Sequence, residues 1–365
     1  MALFSRRPKK TSDDAVETAV DAEPAVADVQ QDVNAAVAAE EADAEDVPHV
    51  PISVSTYGQP ARRPAPAPTP AAPLPQAAET APERTEGRAG VPDNTLLMRE
   101  LAALPETPDN AAVLGVMRQA LQGNLYLRIL GDARAQMTAG EPLRLAISIL
   151  NDKKFLLAYT GTAAVEAGVA EETDSQTSVL GQPANRVLQN AIDAGYDGVM
   201  LDHAGPGRRI VLPVGLITQS LSQADPDFTI KNLLSDARTD ATARYVVEAI
   251  VKGRSWIAAG TRTDGEGMGI AEARSAEGTR YLQVFSHPLE VLTVRREDQP
   301  IPVTAAQLGA ALLSEPDLSG ILVDPAGPWI RIERTQLEPL IDAARQAEAA
   351  GADGSAGAED VADDA

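Results

Sequence analysis

Between about Asn94 and Ala344, apolar residues recur in blocks whose period switches between that of a helix and that of a strand. Val113, Met117, Ala120 and Leu121 fall on one helical face, and so do Ala243, Val246, Val247 and Ile250. Each of these predicted helices stops at a glycine, Gly123 or Gly253, a residue that takes left-handed backbone without strain. Strand-like runs follow, with Leu125, Leu127 and Ile129 in one block and Trp256, Ile257 and Ala258 in the other. Aromatic and branched residues then predict strands over Phe155 to Tyr159 and Tyr281 to Phe285. Thr160 and Ser286, directly after them, stand where a helix N-cap would. A further helix is expected in each block, with Val187, Leu188 and Ala191 inward in the first and Leu308, Ala311 and Leu312 in the second. Thr304 suits its N-cap, and Pro183 suits an early helical position.

The blocks are parallel. TLLMREL (95–101) matches TIKNLLS (229–235), and AAVLGVMRQALQGNLYLRI matches TARYVVEAIVKGRSWIAAG. Lys153 to Val165 runs beside Thr279 to Val291, with Tyr281 opposite Phe155 and Phe285 opposite Tyr159. GVMLDHAGPGRR (198–209) is echoed by GILVDPAGPWIR (320–331). Both carry a short apolar strand, then a turn in which Asp202 or Asp324 opens, Gly205 or Gly327 supplies permissive backbone and Pro206 or Pro328 fixes φ. A return strand and a closing helix complete each copy. An internal repeat of this length predicts a domain built twice. The units are expected at 93–222 and 228–344, joined by the polar linker Ser222 to Asp227. They either pack as a pseudo-dimer or sit apart. The fold expected is α+β, each unit a mixed or largely antiparallel sheet with flanking helices.

Outside the repeat the pattern vanishes. Residues 1–92 are Ala, Val, Pro, Glu and Asp, with the stretch ARRPAPAPTPAAPLP at 61–75, and 345–365 are small and acidic. Such segments bury too little apolar area to offset chain entropy, so disordered tails are expected. Ala15 to Ala42 could form an isolated helix. Arg6, Arg7, Lys9 and Lys10 read as a solvated basic terminus, the alternative being contact with an anionic surface. Across 365 residues, 53 acidic side chains face 31 basic ones, for a net charge of -22. That charge opposes general nucleic-acid binding. The chain has no cysteine, so disulfides, thiol nucleophiles and cysteine metal sites are excluded. No export signal or membrane-spanning run is legible, and a cytoplasmic location is expected.

Candidate chemistry is sparse. Asp202 and Asp324 invite an acid–base reading, but an aspartate bonding its own turn backbone accounts for them equally well, and that is the reading taken. The three histidines, His49, His203 and His287, have no metal-ligand spacing, so no metal or cofactor is expected. GEGMGI (265–270) looks like a dinucleotide loop but follows no buried strand, and a hairpin is expected there. Thr160, Ser286 and His287 lie at strand ends, which commonly line grooves; helix capping explains the hydroxyls without a ligand.

The order LLMRELAALPETPDNAAVLGVMRQALQGNLYLRI, FLLAYTGTAAV and GYDGVMLDHAGPGRRIVLPVGLI resembles the N-terminal domain of SseB-type proteins. So does the second series, from LLSDA through YLQVFSHPLEV to LSGILVDPAGPWIRIERTQLEPLI. The resemblance covers about Asn94 to Ala344 and supplies no catalytic residues. It implies tandem domains of an interaction or regulatory protein with an unknown protein partner. The alternative is a small-molecule sensor or enzyme linked to amino-acid metabolism, with its site between the units near Asp202, Asp324, Ser286 and His287.

Overall fold

A computed structural model describes residues 77–83, 85, 87, 90–170, 177–204, 209–225, 227–261, 268–294 and 298–350, and the backbone of 351–356. The chain before Ala77 with His49 and the basic start, Gly205 and Pro206, most of the glycine-rich hairpin and the end of the acidic tail lie outside the described residues.

The first set of elements runs α1 (Thr95–Ala103), α2 (Asn110–Ala120), β1 (Asn124–Leu130), α3 (Ala133–Thr138), β2 (Ile147–Leu150), β3 (Lys153–Tyr159), α4 (Thr162–Ala170), β4 (Thr177–Pro183), α5 (Ala184–Asp193), β5 (Gly198–Leu201), β6 (Ile210–Pro213) and α6 (Val214–Gln223). The second runs α7 (Thr229–Ser235), α8 (Thr242–Lys252), β7 (Ser255–Thr261), β8 (Met268–Ile270), β9 (Glu272–Arg274), β10 (Arg280–Val284), α9 (Pro288–Val294), β11 (Gln299–Val303), α10 (Ala305–Ser314), β12 (Leu318–Val323), β13 (Ile330–Glu333), a 3₁₀ turn (Arg334–Gln336) and α11 (Glu338–Ala356). Helices and strands alternate along the chain and the sheets are mixed, so the fold is α+β.

In the first sheet the order is β4-β1-β3-β5-β6. β3 and β5 are parallel and the other neighbours antiparallel. In the second set, β11 pairs antiparallel with β7, β10 parallel with β12, and β12 antiparallel with β13. A Trp256–Phe285 bridge of two 2.8 Å bonds connects β7 to β10. The order β11-β7-β10-β12-β13 thus has the senses of the first sheet. A further strand divides its pairing in both sets. Ala146 donates its N–H to Arg128 of β1 and accepts from Leu157 of β3; Ala271 does the same between Ala258 and Gln283. The two sets also share a close approach. A Cβ on Gly198 would lie 2.2 Å from the Leu212 carbonyl, and one on Gly320 would lie 2.1 Å from the Ile332 carbonyl.

Alternation on β3 explains its continuous apolar run. Leu156 and Ala158 enter one core with α1, α2, α5 and α6, while Phe155, Leu157 and Tyr159 enter a second one with α4. A strand covered on both faces needs apolar residues at every position. In the second set, Val246, Val247, Leu308, Leu312 and Leu340 build the larger core.

Several expectations change. Gly123 is left-handed at φ 67°, but Gly253 has φ -111° and caps its helix in extended backbone. Pro183 ends β4 and caps α5 rather than entering it. β4 and β11, in regions with no clear period, add an edge strand to each sheet. The predicted linker is a tied turn. Asp225 accepts from the N–H of Thr229 at 2.6 Å, and Phe228 inserts into the first core. Leu289 of α9 enters that core too, and α9 packs on α2, so the two sets are in contact rather than apart. α11 continues past Ala344 because Ala and Glu are strong helix formers. The arm's last residues lie on the body: Val91 packs against the second core of the first set, and the Tyr126 hydroxyl donates to its carbonyl.

Candidate functional site

One aspartate follows the second strand of each parallel pair. Asp202 follows Leu201, and its N–H donates to the Ala158 carbonyl at 3.1 Å; Asp324 follows Val323 and donates likewise to Val284 at 3.0 Å. Both adopt left-handed backbone, φ 46° and 51°. Aspartate is among the few non-glycine residues that tolerate this conformation. The turn swings each carboxylate over the end of the neighbouring strand. Thr160 donates its N–H to one oxygen of Asp202 at 2.8 Å and its hydroxyl to the other at 2.6 Å. Ser286 does the same to Asp324 at 2.7 and 2.5 Å.

Neither the predicted cap nor the predicted local turn bond describes these residues. Each hydroxyl is one position too early to cap, and each carboxylate reaches across strands instead of into its own turn. The result is a latch closing the open end of a parallel strand pair. Burial raises the Asp202 carboxyl, against the opposing bonds from Thr160. Asp324 is pushed up to about 7 by burial and then by the charge of Glu290, against Lys231 and the Ser286 bonds.

His287 caps α9. Its Nδ1 accepts from the Leu289 N–H at 3.1 Å, so its other nitrogen carries the hydrogen and donates to the Ser220 carbonyl of α6 at 3.0 Å. Burial lowers its pKa to about 4, with Lys231 acting in the same direction and the Ser220 bond and Glu290 opposing. His203 packs edge-on against Tyr159 at 5.6 Å and joins no cluster with His287 in the described contacts.

The turn Asp324–Pro328 is a meeting point. Gly327 is left-handed at φ 83°, donates its N–H to the Asp324 carbonyl, and is joined to Pro328 by a cis peptide bond. Arg118 of α2 donates to the Gly327 carbonyl at 3.0 Å and to Glu290 of α9 at 3.3 Å. Lys231 of α7 takes the other Glu290 oxygen. Glu290 is 1% exposed, and burial alone would raise its carboxyl; Lys231 and Arg118 outweigh that and hold it below the ordinary range. A buried carboxylate shared by two cations is satisfied where a single pair would be marginal. Sequence reasoning missed all three residues. The available signal was a lone charge inside an apolar helical face: Arg118 after Met117, Lys231 after Ile230, Glu290 after Leu289.

The structure therefore brings Asp324, Ser286, Gly327 and Pro328 together beside Glu290 and Lys231, with His287 on the same helix, while Asp202 and Thr160 form a separate latch. A crevice of about 10 Å³ touches Asp324, Lys231, Glu290, Gly327 and Pro328, and another of about 10 Å³ runs along Asp93, Asn94, Gln122 and Ser235. Both are smaller than pockets that enclose drug-sized ligands, roughly 300–1,000 Å³. No group of three or more metal-binding side chains occurs among the described residues, and none of their helices is long and apolar enough to cross a membrane.

The chain is thus an α+β protein whose polar centre is tied up internally. Residues 230–338, from the start of α7 to the start of α11, match the family model of the SseB protein N-terminal domain. No curated protein and no solved structure matches the chain.

Proposed function

We propose that residues 93–222 and 228–344 are two copies of one SseB-type domain, and that the protein is a non-enzymatic cytoplasmic interaction or regulatory protein binding a protein partner through them. Two likenesses support the doubling: the common strand order, and the same aspartate–hydroxyl latch at the same place in each sheet. The observation that supports the non-enzymatic reading is that the conspicuous polar groups bond internally. Asp324, Glu290, Lys231 and His287 are each hydrogen-bonded to other parts of the chain. A catalytic set needs at least one such group free to meet a substrate. Glu290 acts instead as a clamp between copies.

A thermal-shift screen of amino acids and nucleotides, run beside affinity capture from a native lysate, tests this. Capture of one specific protein, with Tm unmoved by every compound, is the expected result. A reproducible rise in Tm with a metabolite, and no captured protein, would favour the sensor or enzyme alternative.

A further inference from the structure

The turn that gathers the buried charges is covered on its outer side by the chain's own residues 77–79. The Trp329 indole N–H donates to the Ala77 carbonyl at 2.8 Å. Arg238 donates to the Glu79 carbonyl at 3.0 Å, and its same nitrogen holds the Trp329 carbonyl at 3.1 Å. The Ala77 methyl packs on a cluster of Ala273, Tyr281, Leu322 and Trp329. Gly327 leaves the room: a Cβ there would lie 2.9 Å from the Ala77 Cβ and 3.1 Å from the Ala78 carbonyl.

We infer that the surface formed by Trp329, Arg238 and Gly327 is a docking groove for Ala-rich peptides presenting main-chain carbonyls, occupied in this chain by its own residues 77–79. Both polar contacts take main-chain carbonyls two residues apart, and the side chain packed on the apolar cluster is the Ala77 methyl. The space over Gly327 admits small side chains. The sequence around the groove, APAPTPAAPLPQAAETAP, is rich in alanine throughout. Tethered to the site, residues 77–79 act at an effective concentration on the order of millimolar and hold off a weak competitor. The groove would give the interaction protein proposed above a partner class, and its use in the cell rests on that reading; peptide binding itself does not.

The test is fluorescence anisotropy with a labelled peptide of residues 72–84 and the full-length chain. Ala77→Asp sets a carboxylate against the apolar cluster and releases the tethered segment without altering the groove. That variant is expected to bind the peptide at least tenfold more tightly than the wild type. Adding Arg238→Gln or, separately, Trp329→Phe should reverse the gain, each checked by circular dichroism for an unchanged fold. Binding by the Ala77→Asp chain no tighter than wild type overturns the inference, as does tighter binding that survives both second substitutions. Capture from lysate and the ligand screen are read separately, so this inference and the proposed function fail independently.

Discussion

Asp324 and His287 pull the pH dependence of stability in opposite directions. Asp324 is an ordinary carboxyl at 3.8 when unfolded and is raised to about 7 when folded. Its contribution is therefore full below about pH 4 and is lost as pH rises towards 7. His287 falls from 6.5 to about 4, so its contribution is full above about pH 6.5 and is lost as pH falls towards 4. Between these limits the two partly cancel in the wild type. Asp324→Asn removes the first effect and leaves a shape that can still meet Ser286. Its stability relative to wild type, read from urea midpoints, is expected to improve from pH 5 to about pH 7 and to level off above it. A constant difference over that range would mean that Asp324 is ionised throughout. Of this chemistry the sequence disclosed the residue types and their repetition, since Asp202 and Asp324 stand out beside Tyr159-Thr160 and Phe285-Ser286. It did not disclose that the hydroxyls serve the aspartates. That pairing joins residues far apart in the chain through a parallel strand contact, and neither spacing nor local pattern encodes it.

At the scale of elements, periodicity located the helices and strands that bury a full face, as in α5 and β3. It failed where burial is partial. β2 alternates exposed and half-buried residues and β4 has no buried residue, so neither presents a clear apolar stripe. The GEGMGI stretch was read as a hairpin, and its described end is β8, which returns antiparallel along β7 with Met268 opposite Thr261. Glycines mark the tightest approaches between elements. Gly309 of α10 faces α11 so closely that an added Cβ would lie 2.0 Å from the Leu340 carbonyl and 2.9 Å from the Ala344 Cβ. Gly309→Ala gains intrinsic helix propensity of roughly 1 kcal/mol but forces the two helices apart. Overpacking of this kind costs about 1–3 kcal/mol, so net destabilisation is expected in chemical denaturation. A stabilised variant would show that α10 and α11 move freely against one another.

For the whole molecule, the repetition of strand order and latch sets up two similar bodies, but the contact between them is asymmetric. Lys231, Glu290 and His287 belong to the second set, and at the matching positions the first carries Leu97, Ala164 and Gly161. From the first set, Arg118 and the Ser220 carbonyl complete the clamp. A repeat search finds what the two sets share, so it is blind to residues present in one set that join it to the other. Removing one member of a buried charge cluster leaves its partners uncompensated, at a cost of about 3–5 kcal/mol. Native-state hydrogen exchange reads this coupling directly, strand by strand. In the wild type, the central amides of β3 and β10 are expected to exchange through one shared opening with the same free energy. In Glu290→Ala they should separate, each sheet opening by itself. Independent opening of β3 and β10 in the wild type would contradict the account of two equivalent folds clamped into one body.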